Sequence, residues 1–168
     1  MATITAADVK RLREETSAGV MDAKRALEEA DGNFDKAKGI LRERGIADAA
    51  KRSGRETKQG MVESYIHGGG RIGVIVEVQC ETDFVARTET FRNLARDIAM
   101  QVAAMNPLAL TPDAVPAEHV GTAEENALLT QAFIKDSGRT IQDLVSEAVA
   151  QTGENVRVAR FARFELGG

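Results

Sequence analysis

The feature that most constrains this chain is a change of hydrophobic period at one short junction. Ile72, Val74, Val76, Val78 and Cys80 alternate with residues that include Glu77 and Gln79. Strict alternation describes a strand with one covered face. From Phe91 onward the apolar residues Leu94, Ala95, Ile98, Val102 and Met105 recur at helical spacing. Cys80-Glu81-Thr82-Asp83-Phe84-Val85-Ala86-Arg87 is therefore a strand-to-helix junction. It offers a carboxylate and a large aromatic side by side. An exposed Phe costs solubility unless something binds it. Local pattern leaves two readings. In one, Asp83 caps the helix and Phe84 folds back onto the core; in the other, Phe84 projects as a wedge.

The junction sets the expectations around it. Met61 to His67 reads as a strand, Gly68-Gly69-Gly70 as a turn where positive φ costs little, and Ile72 to Cys80 as its hairpin partner. Residues 88–105 form the longest helix, stopped by Asn106-Pro107. Pro107, Pro112 and Pro116 mark a loop. Helices over 122–135 and 140–151 are separated by Ser137-Gly138. A last strand over 154–166 has Val156, Val158, Phe164 and Leu166 in phase, with Arg160 and Phe161 breaking it, so a bulge or an exposed aromatic is expected there.

Residues 1–45 predict three short helices. Thr5 to Asp8 is a capping box, with Ile4 and Val9 at the staple positions. Leu12 continues the inner stripe and Gly19 breaks it. Val20, Ala23, Leu27 and Ala30 follow, ended by Asp31-Gly32. Asn33 caps a third helix carrying Phe34, Ala37, Ile40 and Leu41. Gly45 suits a left-handed stop, with Ile46 against Leu41. Val20 and Met21 are adjacent, so they cannot both face so small a core, and at least one is exposed. The expected organisation is a three-helix module over 1–46, a charged linker over 47–60 and an α+β core over 61–168. In that core a three-stranded antiparallel sheet packs with helices.

Composition bounds function. With 43% apolar, 29% charged and only 4% aromatic residues in 168, the core must be aliphatic and Ala-rich. The net charge is −4, split as +1 over residues 1–54 and −5 over 55–168. That balance argues against direct nucleic-acid binding, and it reads Lys51-Arg52-Ser53-Gly54-Arg55 as a solvated linker. One cysteine, Cys80, cannot form an internal disulfide and suits a reducing compartment. No apolar run approaches a membrane span, and the N-terminus lacks a secretory pattern, so a cytoplasmic protein is expected. Cys80, His67 and His119 form no nucleophilic set, and no ligands cluster as a metal would need. Gly68-Gly69-Gly70-Arg71 joins two strands, not a strand and a helix, so it is no phosphate loop. No catalytic residue, metal or cofactor is expected.

Two segments resemble the most characteristic stretches of the bacterial elongation factor Ts family. One is Leu12-Arg13…Thr16…Gly19-Val20-Met21-Asp22…Lys24…Ala26-Leu27; the other is Glu77 through Arg87. Gly153-Glu154-Asn155-Val156-Arg157-Val158 resembles the family's last core strand. The resemblance runs from about residue 4 to 166. Gln79 departs from the family's usual Asn, on the polar face of the strand. The chain has room for one core unit, as in compact members that work as homodimers. The resemblance implies guanine-nucleotide exchange on elongation factor Tu in translation. It also implies a ubiquitin-associated-like front module docking on the GTPase through Leu12, Gly19, Val20 and Met21. Thr82, Asp83, Phe84 and Val85 would then disturb the partner's Mg2+ region. The partners implied are elongation factor Tu and a second copy of the chain, without nucleic acid or membrane. Two other classes stay open: an adaptor binding peptides or ubiquitin-like domains through the front module, and a thiol enzyme using Cys80.

Overall fold

The computed structural model describes residues 3–168. Helix α1 (Ala6–Thr16) starts at the expected capping box. The Thr5 hydroxyl accepts from the Asp8 backbone N–H at 3.2 Å, and the Asp8 carboxylate accepts from the Thr5 N–H at 2.9 Å. Helix α2 (Val20–Glu29) follows Gly19, and helix α3 (Phe34–Arg52) follows Asn33, whose side chain accepts from the Lys36 N–H at 3.0 Å. Leu12, Ala23, Ala26, Leu27, Ala30 and Ala37 are packed together at the centre, with Ile4, Val9 and Phe34 against them. The small side chains let three helices approach closely, and the resulting core is small. Arg11 closes one side by laying its guanidinium 4.6 Å from the centre of the Phe34 ring.

The expected stop at Gly45 does not occur. Helix α3 runs through it to Arg52, and Gly45 is buried. The reason is tertiary: at Gly45 α3 meets the later helix α7 (Ile141–Thr152), where a Cβ would lie 3.9 Å from the Ser146 carbonyl oxygen. Gly45 is not at positive φ, and a Cβ would find ordinary contact there, so the helix passes through it without a left-handed turn. Ile46 stays exposed. Helix α3 thus runs unbroken from the front cluster to its contact with α7.

Strands β1 (Gln59–His67) and β2 (Ile72–Cys80) form the expected antiparallel hairpin. Gly68, Gly69 and Gly70 are all at positive φ in its turn. Near the other end, Gly60 sits at φ 146, and a Cβ there would fall 2.1 Å from the Val78 carbonyl oxygen, so only glycine fits. The one-turn helix α4 (Asp83–Ala86) and the long α5 (Glu89–Met105) come next. The Thr88 side chain caps α5, and Asn106, at φ 47, ends it.

The helix expected over 122–135 is replaced by a four-residue helix, α6 (Ala123–Asn126), a 3-10 turn at Leu128–Thr130, and a second small sheet of β3 (Ala132–Phe133) and β4 (Asp136–Thr140). The backbone groups that a helix would use are taken by other partners. Leu108 N–H donates to the Asn126 carbonyl at 2.8 Å, Leu128 N–H to Ala109 at 2.9 Å and Leu129 N–H to Leu110 at 3.0 Å. Buried Gln101 of α5 donates to the Ala132 carbonyl and accepts from Ile134 N–H, both at 3.0 Å. These long-range partners override helix propensity.

Strand β5 (Arg157–Glu165) completes a sheet of order β1-β2-β5, all antiparallel. Its register against β2 shifts between Glu77 and Val78: Val158 faces Val78 and Arg160 faces Glu77, leaving Ala159 as the extra residue. One extra residue flips every later side chain. Val156 and Val158 are buried and Phe161 packs inward, whereas Phe164 and Leu166 are exposed. The expected break in phase is real, but Phe164 and Leu166 lie on the face opposite to Val156 and Val158. The inner face of β2 packs on α5, which in turn packs on α7, with Phe91, Ile98, Val102, Ile141 and Val149 fully enclosed. The architecture is α+β.

Candidate functional site

The turn after β2 is built from three converging restraints. Thr82, not Asp83, caps α4: its hydroxyl accepts from the Val85 N–H at 3.4 Å. The Glu154 carboxylate, from the turn between α7 and β5, accepts from the N–H groups of Glu81 and Thr82 at 3.1 and 3.0 Å. Its second oxygen accepts from the Thr82 hydroxyl at 2.6 Å. The Cys80 thiol donates to the Thr82 carbonyl at 3.1 Å. Asp83 is free for a different task and pairs with Arg87 one turn on, at 2.8 Å. Val85 is buried beneath the turn. Phe84, between these anchored neighbours, is 78% exposed. The reading that folds it onto the core is excluded. A rigid turn that holds a bare aromatic outward is an apolar contact point with little left to order on binding.

Burial, and next the field of Glu154, push the Cys80 thiol up to about 11. It is enclosed among Val78, Val85 and their neighbours. A protonated, buried thiol is a poor nucleophile. Among the described residues, no group of three or more His, Cys, Asp or Glu is placed to hold a metal.

The second exposed apolar point is the turn between α1 and α2. Ser17, at φ 56, closes α1 through its N–H to the Arg13 carbonyl, and Gly19 opens α2 with no side-chain cap. Both Val20 (53%) and Met21 (57%) are exposed. Sequence required only one of them outside. Leu12 is fully enclosed, so it shapes this surface from below and cannot touch a partner.

A cleft of about 670 Å3 separates this turn and α3 from β4 and α7. Several of its charges already have partners. Arg42 makes two bonds of 2.8 Å to buried Asp143, and Arg139 pairs with Asp136 and Glu147, each at 2.8 Å. Burial pushes the Asp143 carboxyl up. The Thr140 backbone N–H, the Arg42 guanidinium and the Thr140 hydroxyl pull it further the other way, to a value below the ordinary one. Burial wins at Glu147, whose carboxyl is raised despite Arg139. The cleft is a charged joint between module and core. The basic cluster is likewise occupied: Lys51 reaches Asp48 at 3.5 Å and Arg55 reaches Glu81 at 3.4 Å.

Sequence reasoning passed over the residues that hold these points in place. Gln79 accepts from the Thr57 hydroxyl at 3.1 Å and from Arg157 at 2.9 and 2.7 Å, tying the segment after α3 and strand β5 to β2. Asn155 donates to the carbonyls of Ser53 and Arg55 at 3.3 and 2.8 Å. Their signal was present only as polar residues on the open face of β2 and just after a glycine stop.

A family model described as Elongation factor TS matches residues 46–126, which contain the Phe84 turn. An elongation factor Ts of Desulfosudis oleivorans is 47% identical over 197 aligned residues, covering 99% of this chain and 100% of the relative. One from Moorella thermoacetica is 47% identical, covering 98% and 96%. One from Rubrobacter xylanophilus is 48% identical, covering 94% and 96%.

Proposed function

The chain belongs to the elongation factor Ts family, and on that premise we propose how it works as a guanine-nucleotide exchange factor for elongation factor Tu. The observation that carries the proposal is a bare Phe84 on a turn locked from three sides. Magnesium and phosphates hold a nucleotide in a GTPase through charge. A factor need not touch the base to expel it; it need only bind better to a conformation whose metal site is broken. Coupling is reciprocal, so what weakens nucleotide binding is weakened by nucleotide in turn. Phe84 is the group that enters the Mg2+ and phosphate region. Thr82 and Val85 hold it, and the Asp83–Arg87 pair lies beside it.

Burying one Phe is worth about 1.5–3 kcal/mol, or about 10- to 150-fold in an equilibrium. That is too little to displace a tightly bound nucleotide alone. Val20 and Met21 supply the second anchor, on a front module proposed to be ubiquitin-associated-like and to dock on the GTPase domain. The unbroken helix α3 and the Arg42–Asp143 pair link the two anchors mechanically. The adaptor alternative draws no support from the relatives.

A homodimer belongs to the same proposal. The outer face of the sheet exposes Val62, Ile66, Ile75, Phe164 and Leu166. Gly73 lies between Ile66 and Phe164 in register, with Ile75 beside Ala162 one step along, so these residues form an apolar patch, bordered by the Glu77–Arg160 pair next to Val62. A second copy would cover it, and light scattering showing monomers at micromolar concentration with full activity would refute this part. For the exchange function, purified chain is added to elongation factor Tu loaded with a fluorescent GDP analogue. Accelerated release and a nucleotide-free complex on gel filtration are expected; release at the intrinsic rate would overturn the reading.

A further inference from the structure

We infer that Glu154 is a positioning residue for exchange: its single carboxylate sets the conformation of the turn that presents Phe84. The inference rests on Phe84 being the entering group. Glu154 is 70 positions from Phe84 in sequence, and its bonds go to Glu81 and Thr82.

The geometry is that of an anion seat made by the turn for a carboxylate of its own chain. One oxygen, Oε2, accepts from two successive backbone N–H groups, those of Glu81 and Thr82, at 3.1 and 3.0 Å. The other, Oε1, accepts from the Thr82 hydroxyl at 2.6 Å. Hydrogen bonds to a charged acceptor are the stronger kind. The third bond does more than add strength. A hydroxyl has one proton and two lone pairs. With its proton committed to Glu154, the Thr82 oxygen turns a lone pair to the Val85 N–H at 3.4 Å and caps α4. The carboxylate therefore orients the cap, and the cap orients the one-turn helix that carries Phe84. A helix of four residues has no stability of its own, so its direction is set by such restraints.

The seat is reciprocal. The Glu81 carboxylate accepts from the Asn155 N–H at 2.6 Å, while the Glu81 N–H donates to Glu154. The two chain segments thus exchange side-chain-to-backbone bonds. Gly153, at φ 72, ends α7 and swings Glu154 toward the turn.

The test is a double-mutant cycle on nucleotide release from elongation factor Tu, using the full chain. Glu154→Ala should slow release about 10-fold, the scale of a lost charge-assisted bond, and no more than Phe84→Ala does. Glu154→Gln keeps the side chain's volume and one acceptor oxygen, but its amide nitrogen cannot accept the Thr82 proton; an intermediate rate is expected. In the Phe84→Ala background, Glu154→Ala should change nothing further, because the group it positions is gone. A residue that acted only through stability would slow both backgrounds by the same factor. That multiplicative result, or wild-type release by both Glu154 variants, would overturn the inference. Wild-type release by Phe84→Ala alone would instead overturn the wedge reading beneath it.

Discussion

Two of the exposed apolar points among the described residues, Phe84 and Val20-Met21, each stand at the start of a helix, and they are made differently. The Phe84 tip stands on a turn held by a carboxylate, a thiol and a capping hydroxyl. The Val20-Met21 tip follows a glycine with no side-chain cap. One presents a stiff aromatic with two side-chain torsions; the other presents an unbranched thioether that adapts to what it meets. A stiff point delivers strain to a partner, and a compliant one adheres without demanding a shape. In the mechanism we propose, exchange uses both: a wedge without a grip is pushed out, and a grip without a wedge leaves the metal site intact.

The largest effect is expected at Phe84. Phe84→Ala should lower the exchange rate about 10- to 150-fold, the worth of one buried Phe, while the melting temperature stays within a degree or two, since the ring is solvent-exposed in the free protein. A large fall in melting temperature would mean the ring supports the core after all. Next, Leu12→Ala empties the centre of the small helical core and should cost about 2–5 kcal/mol in that module. Amide exchange should then rise in residues 6–41 before the sheet is affected. A uniform rise across the chain would show that module and core fold as one unit. A smaller effect is expected from replacing Val20 and Met21 together by Ala. The factor concentration that half-saturates exchange should rise several-fold, on the order of one lost apolar contact, with no change in the maximal rate.

The smallest effect concerns the joint. Arg42→Ala removes a pair in which Arg42 is half-exposed and Asp143 is buried, and should cost about 1 kcal/mol at neutral pH. The sign with pH is fixed. The Asp143 carboxyl is held below its ordinary value in the folded protein. The pair is therefore at full strength above about pH 4 and is lost as pH falls through that lowered value. The gap between thermal melts of wild type and Arg42→Ala should narrow as pH is lowered from 7 to 3. A gap that persists or widens there would mean Arg42 acts by packing and not by charge.

Much of this was legible in the residues. Period 2 over Ile72–Cys80, the Gly68–Gly70 turn, the Thr5 and Asn33 caps and the period-3.6 run after Phe91 are local signals, and local physics decided those elements. Where sequence misled, a distant partner had taken over. Gly45 looks like a helix stop in isolation but is the contact point for α7. Residues 122–135 look helical, but Leu108–Leu110 and Gln101 claim their backbone groups. Phe164 and Leu166 looked in phase with Val158 because one bulged residue cannot be located without knowing the partner strand. At the site, the neighbourhood of Phe84 was readable, but its exposure was not. That depends on Glu154, brought to the turn by the sheet.

In the proposed mechanism the stiff tip sets the rate and the compliant tip sets the affinity. Stopped-flow release of a fluorescent GDP analogue from elongation factor Tu, measured across factor concentrations, separates the two. A lowered plateau is expected for Phe84→Ala, and an unchanged plateau with a right-shifted midpoint for the Val20 and Met21 double variant. A Phe84→Ala curve that climbs to the wild-type plateau would contradict it.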